Sequence, residues 1–336
     1  MSKHPQNPTT ISSLIAKAYE AQPQSNRPYL GMSQIGEACL RKQWYEFRQV
    51  DAKHIDGRIR ALFERGHNEE PQIAKKLQMI GIKVVDRDAN GGQFELVGYK
   101  GHFLGHFDAA LYGVPEAANE WHVGEFKTHN DKSWQHVATN GVQKAKPVHY
   151  IQMQCYMGFS GMTSALYVAI NKNDDSIYTE RVNFDSTAFN DLCAKAAYII
   201  DAQEPPERLS NDPTSPECQW CYYRNICYQG KVPQANCRTC VQAEPIVDGK
   251  WTCKKHGNAT GLCGDHLYIP ALLGEPTHCG DGYVMYPQFI NATASMAEGC
   301  AFEGHRVYTS AQLQRNRFLA ITADRPFAEL RKVFAK

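Results

Sequence analysis

Apolar residues recur along this chain first with a helical rhythm, then with a strand rhythm, then with neither. Through residue 30 the chain is mostly polar, a loose leader with one short periodic stretch, TISSLIAKAYEA, that predicts a helix. LGMSQIGEACLRKQWYEFR follows; Ser33 is a candidate N-cap with Glu37 in the first turns, ahead of Ile35, Cys39, Lys42, Trp44 and Tyr45. A longer helix is predicted over 58–80, stopped by Gly81 and bent or divided at Pro71. The rhythm then shortens. IKVVDR, FELVGY, FLGHFDAALY and WHVGEFKT read as strands separated by polar or glycine-rich turns such as NGG at 90–92. Two helical segments, DKSWQHVATNGVQKA and VHYIQMQCYMGFSG, precede a predicted hairpin, SALYVAIN and SIYTERVNF, across the turn KNDD. TAFNDLCAKAAYIIDAQ closes the unit near 203, and the proline-rich stretch 204–217 reads as a linker. The order predicts a mixed α/β core with helices on a central sheet.

Beyond the linker periodicity fades. A cysteine-dense region runs to about 275, and the last sixty residues are weakly patterned, NRFLAITADRPFAELRKVFAK suggesting a strand or helix with a basic tail. The expected division is a leader at 1–30, a core at 31–230, a small module at 231–275 and an extension at 276–336.

Composition adds exclusions. The chain has 336 residues, 43% apolar and 21% charged, ample for a real core. A formal net charge of +1 means that any nucleic-acid contact must come from local basic patches. No apolar run is long enough to span a membrane and the N-terminal stretch lacks the apolar core of a signal peptide, so a cytoplasmic location is expected. With no secretion signal, twelve cysteines point to metal rather than disulfides. Seven of them lie between Cys218 and Cys263. Cys155 and Cys193 sit on apolar-patterned helices and read as small buried hydrophobes, while Cys279 and Cys300 have no partner at metal spacing.

Within HVGEFKTHND, side chains alternate across a strand, so Glu125 and Lys127 share one side and Phe126 takes the other. Charges so placed in a buried strand are paired or bind metal. The preceding strand carries Asp108, and two adjacent strands can bring two carboxylates and a lysine to one spot. Glu70, in RGHNEE, is a third acidic candidate, with His67 and Glu69 as competitors. Oxygen donors of this kind suit Mg²⁺ or Mn²⁺. Gln152 and Tyr156 share one face of a later helix. The plain alternative is a surface ion pair on an edge strand with Asp108 in a turn.

GHFDAAL, GEFKT and QMQCY, in that order and after a helix bearing an acidic residue, resemble the motifs of the PD-(D/E)XK nuclease superfamily, specifically its RecB-like exonuclease branch, over roughly residues 30–205. The resemblance implies that Asp108, Glu125 and Glu70, with the Phe126 carbonyl, hold Mg²⁺ or Mn²⁺. It implies that Lys127 orients or activates the attacking water, and that Gln152 and Tyr156 hold the lysine or the DNA strand.

PECQWCYYRNIC supplies Cys218, Cys221 and Cys227, three thiols that call for a fourth, and Cys39 is the best distant candidate. An N-terminal cysteine with three more after the nuclease core resembles the iron–sulfur RecB-like nucleases, which implies a [4Fe–4S] cluster; four thiolates also suit zinc. A second set, Cys237, Cys240, Cys253 and Cys263, with His256 or His266 as substitutes, has the spacing of a structural zinc module. Arg41, Lys42, Trp44, Lys132, Trp134, Lys144 and Lys146 flank the core as candidate DNA contacts. The reading is a metal-dependent DNA exonuclease of phage or mobile-element type, used in recombination or DNA degradation beside a single-strand annealing protein. If phage-encoded, it would act in the host cytoplasm. A non-catalytic zinc-containing DNA-binding or scaffold protein on a decayed nuclease fold, and an endonuclease with the same core, are the alternatives.

Overall fold

The structure, a computed structural model, describes residues 10–273 except 24, 25, 54, 230, 232, 260, 262, 264, 265 and 267, together with the backbone of short strand segments at 277–278, 284–285, 301–302 and 305–306. NRFLAITADRPFAELRKVFAK, Cys279 and Cys300 lie outside the described residues.

Helix α1 (Ile11–Ala21) starts at Thr10, whose hydroxyl accepts from the Ser13 N–H, and lies on the later helix α3. The region predicted as one helix from Ser33 is different. Leu30–Gly31 form a short strand, β1, and the helix α2 (Leu40–Phe47) begins only after Cys39, whose sulfur caps it. The reason is long-range: β1 pairs in parallel with residues 103–104, and the turns after it bury Met32 and Ile35 completely. Helix α3 (Gly57–Met79) runs unbroken through Pro71 and stops where Gly81 takes a φ of +86°. Pro71 has no N–H for the His67 carbonyl one turn earlier.

The strands β2 (Lys83–Val85), β3 (Phe94–Gly98), β4 (Phe103–Phe107), β5 (Ala109–Val114) and β6 (Ala117–His129) follow. FLGHFDAALY, predicted as one strand, is two. β4 joins β1 and β3 in a three-stranded sheet, β5 joins the main sheet, and Asp108 is the single residue between them. Helix α4 (Asp131–Ala145), capped by the Asn130 side chain, breaks at Gly141 with φ +74°; α5 (Pro147–Ser160) begins on a proline and ends at left-handed Gly161. The predicted hairpin is β7 (Ser164–Asn171) and β8 (Ile177–Asn183), followed by α6 (Ser186–Asp201) on its Asp185 cap.

The main sheet has the order β2–β5–β6–β7–β8; β6 and β7 are parallel and the other pairs antiparallel. β7 is buried at every position, as suits an inner strand covered on both faces. On one face Ile73, Ala74 and Leu77 of α3 meet Leu111, Phe126, Leu166 and Val168. On the other, α2, α5 and α6 contribute Trp44, Phe47, Met153, Tyr156 and Ile199 to a larger core.

Residues 204–258 are tied to this body. Arg41 Nε donates to the Pro206 carbonyl at 2.6 Å, so the predicted linker is held against α2. A short helix, α7 (Arg224–Gln229), leads to a small sheet of β9 (Ala243–Pro245), β10 (Trp251–Cys253) and β11 (Gly257–Asn258). Its anchor is Arg48, fully buried, with its guanidinium 5.2 Å from the Trp44 ring and 5.0 Å from the Trp251 ring. It donates to the carbonyls of Ala202 (2.9 Å), Arg238 (3.2 Å) and Ala243 (3.4 Å). Burial, and then the charge of Arg238, lower its pKa to about 10.

The glycine of GHFD has a packing cause. A Cβ at Gly105 would lie 2.6 Å from a ring carbon of Tyr156 and 2.7 Å from the Met32 sulfur. Gly105→Ala is therefore expected to cost about 1–3 kcal/mol, the usual range for overpacking. Chemical denaturation should show a lowered midpoint with an unchanged slope.

Candidate active site

Asp108 and the strand β6 are locked together. The Phe126 N–H donates to Asp108 Oδ2 at 2.6 Å, so the link between the two sheets holds its carboxylate against the ExK strand. Glu125 is completely buried; Lys127, 26% exposed at its side chain, ion-pairs with Glu125 Oε1. Lys127 Nζ also donates to the Phe126 carbonyl at 3.2 Å. Apart from the ion pair, neither Glu125 oxygen has a hydrogen-bond partner. Burial pushes the Glu125 carboxyl up; Lys127 opposes this, and the charges of Asp108 and Glu70 add to it. Burial alone would lower the Lys127 amine, but Glu125, Asp108 and Glu70 together raise it. Glu70 is itself raised, first by burial and then by Asp108. Three carboxylates from three elements thus act on one another and on one lysine.

A cleft of about 330 Å³ opens beside them, lined by Glu70, His67, Phe126, Lys127 and Thr128, with Arg27 and the apolar side chains of Leu62, Phe63 and Ile73. His67 and Glu70 are three apart on α3 and both line it; Glu69 is not among the lining residues. Gln152 and Tyr156 lie on α5, both buried, and Gln152 Nε2 donates to the Tyr156 hydroxyl at 2.9 Å. They hold each other, while burial and then Glu125 raise the Tyr156 pKa well above its usual value.

Behind Lys127 lies a polar chain the motifs did not indicate. The Tyr167 hydroxyl sits 2.8 Å from His129 Nε2 and 3.0 Å from His149 Nδ1, and Ser133 Oγ lies 3.2 Å from His129 Nδ1. Burial lowers the His129 pKa to about 4 and the His149 pKa to about 3, so both imidazoles are neutral at pH 7. His129 was within reach of the alternation argument, being the next position after Glu125 and Lys127 on the same strand side. Arg27, in the polar leader, carried no signal.

The four cysteines of the first set converge. Cys39, Cys218, Cys221 and Cys227 line one small cavity of about 30 Å³, together with Arg41, Lys42, Arg208 and Arg224. Burial raises the Cys221 and Cys227 thiols. In the second set, Cys237 is acted on by Cys263 and Cys253, and its sulfur lies against the Gly261 backbone. His266 is buried with Nε2 at 3.2 Å from Thr239 Oγ1, and its Nδ1 has no hydrogen-bond partner. Among the described residues, no three His, Cys, Asp or Glu side chains are arranged, as they stand, to hold a metal ion. No described helix is long and apolar enough to cross a membrane.

The flanking DNA-contact candidates separate by exposure. Trp44 is fully buried and its indole N–H donates to the Ala202 carbonyl at 2.9 Å, so it is a core side chain, unavailable for base stacking. Trp134 packs on the core with its N–H on the Ala169 carbonyl. Lys42 pairs with Glu37, and Arg41 is turned to Pro206. Lys132 and Lys144 are exposed, and Lys146 is half-buried.

No protein-family profile and no curated protein matches the sequence. Among solved structures the chain is similar to the alkaline exonuclease LHK-Exo from Laribacter hongkongensis in complex with dAMP, with 16% identity over 55% of this chain and 90% of that one and a TM-score of 0.38. It is also similar to SSO0001 (16% identity, 66% and 98% covered, TM-score 0.38). A phage related exonuclease from Haemophilus somnus 129PT aligns at 15% identity, with 55% and 88% covered and a TM-score of 0.34. Likeness at this level assigns no activity to the chain.

Proposed function

We propose that this protein is a divalent-metal-dependent deoxyribonuclease that hydrolyses phosphodiester bonds from a DNA end. The observation that carries this reading is the Glu125 carboxylate, fully buried, ion-paired to one lysine and otherwise without hydrogen bonds, with two further carboxylates acting on it. A buried anion in that setting calls for more positive charge than Lys127 supplies. All the donors are oxygens, which fits Mg²⁺ or Mn²⁺. Glu125, Glu70, the Phe126 carbonyl and the Asp108 oxygen not bonded to Phe126 would hold the ion, with side-chain movement to close the shell. When bound, the ion supplies an activated water and offsets charge on the attacking and leaving oxygens.

The chain's own groups do the rest. The Phe126 N–H keeps Asp108 in place. Lys127, mostly buried but reaching the cleft, offsets charge on the phosphate and orients the attacking water. Gln152 and Tyr156 back the site from α5. Exposed Lys132 and Lys144 suit phosphate contacts that read no sequence.

The two cysteine sets belong to the same proposal. Cys39, Cys218, Cys221 and Cys227 would hold a [4Fe–4S] cluster, or zinc in its place, ringed by arginine and lysine charges that suit thiolates. Cys237, Cys240, Cys253 and Cys263, with His256 or His266 as substitutes, would hold a structural zinc. Action in the cytoplasm, on DNA and beside a single-strand annealing protein, completes the reading. The test compares end-labelled linear DNA with closed circular DNA in Mg²⁺. Loss of the linear form alone is expected; equal cutting of the circle would make the enzyme an endonuclease, and no loss of either would make it a binding protein.

A further inference from the structure

The polar chain behind Lys127 joins the two elements that carry the site. His129 continues the Glu125–Lys127 side of β6, and His149 shares one face of α5 with Gln152 and Tyr156. Tyr167, on the neighbouring strand β7, has its hydroxyl within hydrogen-bond distance of both imidazoles. We propose that His129, Tyr167 and His149 are positioning residues for hydrolysis: their bridge fixes the stretch of β6 that carries Lys127 against α5. The proposal rests on the nuclease reading and adds to it residues that act through Lys127 rather than on the substrate.

Three observations carry it. The first is register. Tyr167 lies opposite Glu125, and Asn171 opposite His129, so the Tyr167–His129 contact, 2.8 Å long, runs along the strands and spans the level of Lys127. Along β6 the lysine stands between its ion-pair partner, Glu125, and one anchor of the bridge.

The second is burial. Tyr167 is fully buried and His129 is 7% exposed; apolar side chains of that size would fill the space with no demand for partners. The bridge also stays uncharged. Burial first, and nearby lysines including Lys127 after it, lower both imidazoles, so no second cation is set beside Lys127. That Lys127 acts on both rings places it within electrostatic reach of each.

The third is direction. Tyr167 has one hydroxyl proton, so it donates to one imidazole and accepts from the other. Ser133 Oγ, 3.2 Å from His129 Nδ1, continues the chain. In neutral rings this couples the tautomers: His129 and His149 both carry the proton on Nε2, or both on Nδ1. A chain ordered in this way holds its members in one geometry, as a site must to keep a lysine in register with three carboxylates.

The test reads turnover and imidazole state separately. Tyr167→Phe keeps the ring and removes the bridge. In Mg²⁺ it is expected to lower kcat on linear DNA by roughly ten- to hundred-fold with KM within about twofold, the pattern of a misplaced group and not of lost binding. His149→Asn, whose amide can meet the Tyr167 hydroxyl from near the Nδ1 position, is expected to keep more activity than His149→Ala; this pair decides the matter if Tyr167→Phe unfolds. Nitrogen NMR of isotope-labelled imidazoles should find one shared tautomer in the parent protein and independent ones in Tyr167→Phe. Parental kcat in folded Tyr167→Phe, equal rates in the two His149 variants, or different tautomers at His129 and His149 in the parent protein would overturn the bridge. A parent protein that hydrolyses no DNA would instead overturn the nuclease reading, whatever the tautomers.

Discussion

Asp108→Asn is expected to leave the fold intact and lower Mg²⁺-dependent DNA hydrolysis by about a hundred- to a thousand-fold or more, the range seen when one preorganised charge-stabilising group is lost. The asparagine carbonyl can still accept from the Phe126 N–H, which Asp108 Oδ2 now does at 2.6 Å. The splice between the two sheets therefore survives while one negative charge goes. Asp108→Ala removes both. It leaves a backbone N–H unpaired beside buried Glu125, which costs about 1–3 kcal/mol in addition. Measuring rate and thermal midpoint for both variants separates the roles: equal rates in Asp108→Asn and the parent protein would take Asp108 out of the chemistry. Binding of a divalent ion should also raise the melting temperature of the parent protein by mass action, and Asp108→Asn should blunt that rise.

The second large effect concerns the four-cysteine cavity. On the proposed metal site, Cys227→Ser is expected to abolish metal binding and cost several kcal/mol of stability, because a structural thiolate site contributes its binding energy directly to folding. The geometry says what would come apart. Cys39 caps α2, Cys218 and Cys221 lie before α7 and Cys227 within it, so the site joins segments some 180 residues apart in the chain. Metal analysis of anaerobically purified protein reads iron against zinc, and a visible absorption spectrum reads a cluster. Protein free of both metals, with an unchanged melting point in Cys227→Ser, would leave these thiols as packing only.

Much of this was written in local pattern. Alternation put Glu125 and Lys127 on one side of β6, and they form an ion pair there. The hairpin at 164–183 and the helix ending before Gly81 follow from periodicity and a stop signal. The convergence of Cys39 with Cys218, Cys221 and Cys227 on one cavity was legible from spacing plus resemblance. What stayed hidden depends on distant partners. Leu30–Gly31 become a strand because residues 103–104 are there to pair with. FLGHFDAALY carries no mark of the break at Asp108, since both halves are equally apolar and only the sheets they join differ. Trp44 looks like a nucleic-acid contact beside Arg41 and Lys42, yet α2 turns it inward onto Ala202.

Arg48 sets a limit on evolutionary exchange. Two of its three acceptor carbonyls come from residues 238 and 243, and one of its two flanking rings from residue 251. The cysteine-rich segment is therefore no cassette to be swapped between homologues. A lineage that discarded it would strand a cation in the interior, and would have to replace Arg48 with an apolar side chain in the same step.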